Sequence, residues 1–302
     1  MSGSLTQACC GIKVIDNIVL NNRCQMVPGL LTVKSLSFAQ NFLLKDDDVI
    51  IVTFPRSGTH WMIEIVSLIL SKGDPTWVQT VKSHTRCLWI EYEQSQKLLM
   101  DQDGPRLMAA HLPIQLFPKS YFTTSAKVIY VIRNPKDVAT SLYHICRDYP
   151  IMKNYRTFEE IIHSFIHGDL LYGSWFDHIL GWLTRRDTEN FLLMSYEELH
   201  RDLRGSIQKV CRFLGKHLTP EQLDSAMKNA SFSVMKDNRM SNHVLLRIPK
   251  HDIDSNIALL RNGLCGDWKN HFTVAQSEAF DKVYREKMSS LDPGLFPWSE
   301  DC

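Results

Sequence analysis

The chain has 302 residues, 44% of them hydrophobic and 22% charged, an ordinary globular composition with room for a large core. Its 34 Lys+Arg and 33 Asp+Glu leave a formal charge of +1, which argues against a surface tuned throughout for nucleic acid but allows a local basic pocket. It has no run of 18 uncharged apolar residues, the length a membrane span needs.

In sequence order, residues 1–44 give no clear element, and Met1-Ser2-Gly3-Ser4 does not read as a secretory signal. Neither Ser2 nor the closing Ser299-Glu300-Asp301-Cys302 fits a lipidation signal. Val49–Phe54 is a short β-branched run that predicts a strand buried on both faces. A turn over Pro55–Thr59 and a helix over about 60–70 follow. Leu107–His111, ending at Pro113, predicts a short strand. Ala126–Ile132 predicts a buried strand ending in Arg133-Asn134-Pro135, where proline suits the first turn of the next helix. Asn190–Ser195 predicts another, followed by Tyr196-Glu197-Glu198-Leu199. Apolar strands alternating with amphipathic helices, with no repeat or linker between them, predict one α/β domain over residues 1–302. Its central parallel sheet is flanked by helices, and such folds bind ligands at the carboxyl ends of their strands. The eight cysteines (Cys9, Cys10, Cys24, Cys87, Cys146, Cys211, Cys265 and Cys302) have no CxxC spacing. They read as reduced thiols of a cytoplasmic protein.

Three segments at those strand ends carry chemistry. Thr53–Trp61 joins a strand to a helix, and successive backbone N–H groups in such a turn form an anion nest. Ser57 and Thr59 add hydroxyls, Gly58 permits close approach and Arg56 adds charge, giving a P-loop-like phosphate loop without Walker A spacing. The bland alternative is a turn with Thr59 as N-cap. In Arg133–Ser141 a cation again follows a strand; Arg133 and Ser141 are placed to hold a second phosphate, or Arg133 simply pairs with Asp137. Leu260–Lys269 reads as a loop lying over a ligand, or as a surface loop capped by Asp267. His111, at a strand end, reads as a candidate general base or as a structural histidine. His163 and His167 have i, i+4 spacing but no third ligand in sight, so no metal is expected. The missing Walker lysine and Mg²⁺ ligand argue against a P-loop kinase.

Together these segments resemble the cytosolic sulfotransferases. Thr53–Trp61 is similar to that family's 5′-phosphosulfate loop, Tyr130–Ser141 to its 3′-phosphate segment and Arg261–Lys269 to its RKGxxGDWK motif. Ala110–Ser120, Gly173–His178, Arg239–Asn242 and Leu295–Trp298 resemble the hydroxysteroid (alcohol) branch. The resemblance implies transfer of the sulfuryl group of 3′-phosphoadenosine 5′-phosphosulfate (PAPS) to a hydroxyl of a lipophilic, steroid-like small molecule, without a metal. A catalytically impaired nucleotide-binding homologue, or an amine or phenol acceptor, is the alternative. Carried over, His111 is the base and Arg56 stabilises leaving-group charge. Arg56, Ser57, Gly58, Thr59, His60 and Trp61 hold the 5′-phosphate. Arg133, Ser141, Arg261, Asn262 and Gly263 hold the 3′-phosphate. Trp61 and Phe232 flank the adenine, with Tyr196, Ser231 and Met235 nearby. The sequence departs from the family pattern at Arg56 and Asn262 (usually Lys), Phe54 (usually Tyr), His60 (usually small and polar), Ala109 and Ala230. Acceptor walls are expected near residues 20–30, 84–98, 145–155 and 240–258, with apolar lining from Leu88, Trp89, Ile145, Tyr149, Leu245 and Leu246. Lys269–Glu278 resembles the family's KxxxTVxxxE motif, implying a weak homodimer through Lys269, Thr273, Val274 and Glu278.

Overall fold

The strands are apolar at consecutive positions because both faces of the sheet they build are covered. In the computed structural model, which describes residues 31–148, 155–242 and 259–298, these are β1 (Val49–Thr53), β2 (Leu88–Trp89), β3 (Leu107–Ala110), β4 (Lys127–Ile132) and β5 (Phe191–Ser195). They pair in the order β2-β3-β1-β4-β5, all parallel. The four strands expected from sequence are present with ends shifted by about one residue. β2 is an addition: two residues are too short to show a period. The helices are α1 (Val33–Asn41), α2 (Thr59–Leu70), α3 (Thr76–Thr80), α4 (Ser83–Arg86), α5 (Glu93–Asp101), α6 (Pro135–Asp148) and α7 (Phe158–His167). After them come α8 (Trp175–Leu183), α9 (Tyr196–Arg201), α10 (Leu203–Leu214), α11 (Pro220–Asn229), α12 (Phe232–Asp237), α13 (Arg239–Asn242) and α14 (Val274–Lys287).

Side chains alternate along β1 between two cores. Ile50 and Val52 join Phe165, Trp175, Trp182 and Phe280 of α7, α8 and α14 on one face. Ile51 faces the other way, against Met62, Ile63 and Val66 of α2 and Val210 of α10. Within residues 1–44, which give no clear element by sequence, α1 starts at a capping box: Thr32 Oγ1 accepts from Ser35 N–H while Ser35 Oγ accepts from Thr32 N–H. Positions 1–30, Tyr149, Leu245 and Leu246 lie outside the described residues.

The amino ends of β1 and β3 are joined by a buried ion pair. Arg106 donates from Nη2 to Asp48 Oδ2 at 2.5 Å and from Nε to Oδ1 at 2.9 Å. Arg106 Nη2 also reaches the Leu43 carbonyl at 2.9 Å, and its guanidinium lies 4.7 Å over the Phe42 ring. This pair locks the register whose other end carries the candidate site. At the carboxyl side, Lys136 of α6 lies 4.1 Å over Trp268 and bonds Asp281 and Ser277 of α14 at 2.7 and 2.8 Å. Removing one partner of a buried pair strands the other charge, so Arg106→Ala is expected to lower stability by about 3–5 kcal/mol in chemical denaturation.

Candidate active site

β1 lies between β3 and β4; the chain leaves β1 for β2, returns to β3 beside β1 and then crosses to β4 on the other side, so a crevice opens at the carboxyl ends of these three strands. The turn after β1 fills its floor. Arg56 and Gly58 both adopt left-handed backbone, with φ of 71° and 106°. Gly58 is the N-cap of α2 and, being glycine, brings no capping oxygen, which corrects the reading of Thr59 as the cap. The first N–H groups of α2 therefore have no cap from a side chain, as an anion site requires. A Cβ at position 58 would stand 2.9 Å from Tyr196 Cδ2, so only glycine lets that ring close on the loop. The expected hydroxyl donors behave otherwise: Thr59 Oγ1 is 2.7 Å from Thr53 Oγ1, and Ser57 Oγ is buried away from the crevice without a partner among the described residues.

The second and third segments meet this loop. Arg133 lies 4.2 Å over the Tyr196 ring and donates to the carbonyls of Arg56 and Leu264 at 3.2 and 2.9 Å. It does not pair with Asp137. Asp137 instead accepts from the backbone N–H groups of Gly266 and Trp268 at 2.7 and 3.0 Å. Asp137, not Asp267, is thus what pins the 260–268 loop; Asp267 is engaged by Arg261 and Asn270. Arg56 donates from Nε to Ser141 Oγ at 3.0 Å and from Nη2 to the Leu259 carbonyl at 2.9 Å. Trp61 Nε1 donates to the Ala230 carbonyl at 2.8 Å. Gly263, at φ 68°, lies so close to Phe232 that a Cβ would come within 2.3 Å of its ring.

These contacts enclose a cavity of about 770 Å³, large enough for two small ligands side by side. Of the sixteen residues expected to form the site, all but Ser57 line it. Its described lining holds three arginines (Arg56, Arg133 and Arg261) and no carboxylate, a strong local bias in a protein of charge +1. Nε of Arg133 and Nε of Arg261 have no acceptor among the described residues. The lining also carries the apolar and aromatic side chains of Leu88, Trp89, Ile145, Leu170 and Tyr172, together with polar ones such as Ser83, Thr85 and Gln94. His163 and His167 are elsewhere: they are exposed, their rings stack at 4.0 Å and His167 Nδ1 bonds the His163 carbonyl.

His111 also lines this cavity. The β1–β3 register pairs Val52 with Ala110, which brings the next residues, Thr53 and His111, side by side. His111 Nδ1 is 2.8 Å from the Thr53 carbonyl. That oxygen can only accept, so Nδ1 carries the proton and the Nε2 lone pair is left to the cavity. Trp89 and Tyr172 hold the ring, at 4.6 and 5.2 Å between centroids. Burial lowers the pKa of His111 to about 3, against the Thr53 hydrogen bond, which raises it. His60, in the same cavity, is also lowered to about 3, by burial and then by Arg56. Sequence reasoning missed two buried residues behind His111: Glu91, which accepts from His111 N–H at 2.8 Å, and His178, 3.1 Å from the His111 carbonyl. His178 lies in the segment Gly173–His178, whose likeness to the hydroxysteroid branch carries no role for it; Glu91 follows a strand that gives no signal.

The description "Sulfotransferase domain" matches residues 46–292. Sulfotransferase 2A1 of Macaca fascicularis is 52% identical over 257 residues, covering 85% of this protein and 90% of that one. The 3-beta-hydroxysteroid sulfotransferase of Cavia porcellus is 51% identical over 259 residues, covering 86% and 90%. Among solved structures, mouse sulfotransferase SULT7A1 complexed with PAP superposes with a TM-score of 0.72 at 32% identity, covering 85% of this protein and 90% of that one.

A lowered pKa keeps an imidazole neutral at every pH well above it. The ring nitrogens of His111 and His60 are therefore expected to keep neutral-form ¹⁵N shifts between pH 5 and 8, with His111 as the Nδ1–H tautomer; titration of either near pH 6.5 would contradict the geometry.

Proposed function

The chain belongs to the sulfotransferase family, and from that premise we propose that it transfers the sulfuryl group of PAPS to a hydroxyl of a lipophilic, steroid-like small molecule. The observation that carries this reading is one cavity whose described lining joins three arginines and no carboxylate to a neutral histidine, held by its Nδ1–H on the Thr53 carbonyl, and to apolar side chains. The relatives' names, a hydroxysteroid sulfotransferase among them, support the acceptor class.

The residues of the site suit the donor. The first-turn α2 amides, with no capping oxygen from Gly58, and Arg56 suit the 5′-phosphosulfate. Arg133, Ser141 and the Arg261-Asn262-Gly263 loop, all on the cavity wall, suit the 3′-phosphate. Trp61 and Phe232 offer ring faces for adenine, beside Tyr196, Ser231 and Met235. When bound, PAPS supplies a sulfuryl group already activated as a phosphosulfate anhydride. His111 Nε2 takes the proton of the acceptor hydroxyl as its oxygen attacks. Arg56 and the first-turn amides face the charge that grows on the departing phosphate oxygen. Burial that keeps His111 neutral makes its protonated form dependent on nearby negative charge, which the bound nucleotide brings. The reading requires neither a metal nor a covalent intermediate. A tethered, neutral base favours an active enzyme over an inert nucleotide binder, and the same base would serve an amine or a phenol.

We place the enzyme in the cytoplasm; no helix among the described residues is long and apolar enough to cross a membrane. We also propose a weak homodimer through Lys269, Thr273, Val274 and Glu278. Thr273 caps α14 in a capping box, and the next side chain, Val274, is 76% exposed.

Replacing His111 by Ala is expected to leave the dissociation constant for PAP (3′,5′-bisphosphoadenosine) within about twofold while cutting turnover of a 3-beta-hydroxysteroid by about 10²–10⁴-fold. Retained turnover would remove His111 from its role. Gly263→Ala should do the reverse: its Cβ displaces Phe232, so calorimetry should show weaker PAP binding, about tenfold or more for a loss above about 1.4 kcal/mol.

A further inference from the structure

Resting on the reading of His111 as the base, we infer that Glu91 and His178 are positioning residues: they grip the two backbone polar groups of His111 and so aim its Nε2 into the cavity. The need arises from the sheet. β2 ends at Trp89, and the last ladder bond on that side joins Ile90 N–H to the Ala109 carbonyl. His111 N–H, one step further on, has no strand to meet. The Glu91 carboxylate takes its place, with Oε1 accepting from His111 N–H at 2.8 Å and from Tyr172 OH at 3.4 Å.

On the other side, His178 of α8 reaches the His111 carbonyl with Nε2 at 3.1 Å. A carbonyl only accepts, so Nε2 carries the proton. Nδ1 then receives the Tyr130 hydroxyl at 2.7 Å, which fixes that tautomer. Glu91 and His178 are 0% and 1% exposed, and burial costs each of them: it raises the Glu91 pKa to about 7 and lowers that of His178 to about 3. Buried polar groups are retained where they are bonded, and both of these end on one residue. With the Nδ1 contact to Thr53, the base is held at three points: backbone N–H, backbone carbonyl and ring. Either of the first two, once lost, leaves the ring tethered but its backbone free to turn.

The test measures turnover of a 3-beta-hydroxysteroid per PAP-binding site, so that inactive protein is not counted. Glu91→Ala and His178→Phe should each lower kcat about ten- to hundredfold, as small misplacements of a reacting group do. The acceptor KM and the PAP dissociation constant should stay within about twofold of the parent. Glu91→Gln, which keeps an oxygen for His111 N–H, should recover most of the lost rate. Should the larger changes prevent folding, Tyr130→Phe removes a single hydroxyl from the same series of bonds and should lower kcat alone. An unchanged kcat per site, or a loss shared equally by PAP affinity, would overturn the inference. His111→Ala at full turnover would instead overturn the reading of His111 itself.

Discussion

Parallel pairing of β1 with β3 is the constraint on which the rest hangs. It is anchored at one end by the buried Asp48–Arg106 pair and expressed at the other as the contact between the Thr53 carbonyl and His111 Nδ1. A slip of one residue would turn Ile51 into the wrong core and move the imidazole off its carbonyl. The chemistry thus depends on a register specified at the opposite end of the strands by an ion pair outside the cavity.

A similar economy governs the loops. Asp137 follows the strand that delivers Arg133, yet it turns away from that arginine and receives two amides of the 260–268 loop. One helix therefore supplies both Ser141, on the cavity wall, and the carboxylate that seats the loop over the cavity. Keeping that carboxylate behind the loop leaves the described lining free of acidic groups while the whole protein stays near neutrality.

What the sequence discloses follows from how chemistry is written along it. The turn after β1, Arg133 and His111 are legible because each sits in a contiguous motif beside an apolar strand. Glu91 is not, because β2 is two residues long and the carboxylate's partner is a backbone N–H twenty positions away. His178 sits in a helix where a histidine gives no sign of its aim. Proximity in sequence pairs Asp137 with Arg133, whereas its partners are amides 129 and 131 positions on. Hydrogen bonds to backbone atoms leave no trace in residue identity, and three of the contacts that fix His111 are of that kind.

Arg133 donates to carbonyls on two separate loops while its ring partner Tyr196 covers one face. Two of its nitrogens thus already meet carbonyl oxygens of the protein, while its Nε has no acceptor among the described residues. In the proposed function, nucleotide capture at those two nitrogens is an exchange of oxygen for oxygen. The same exchange runs backwards, so a departing nucleotide leaves those two nitrogens to the carbonyls that held them before. A site built this way trades tightness of grip for ease of release, which is what a catalyst that must part with a doubly phosphorylated product in every cycle needs.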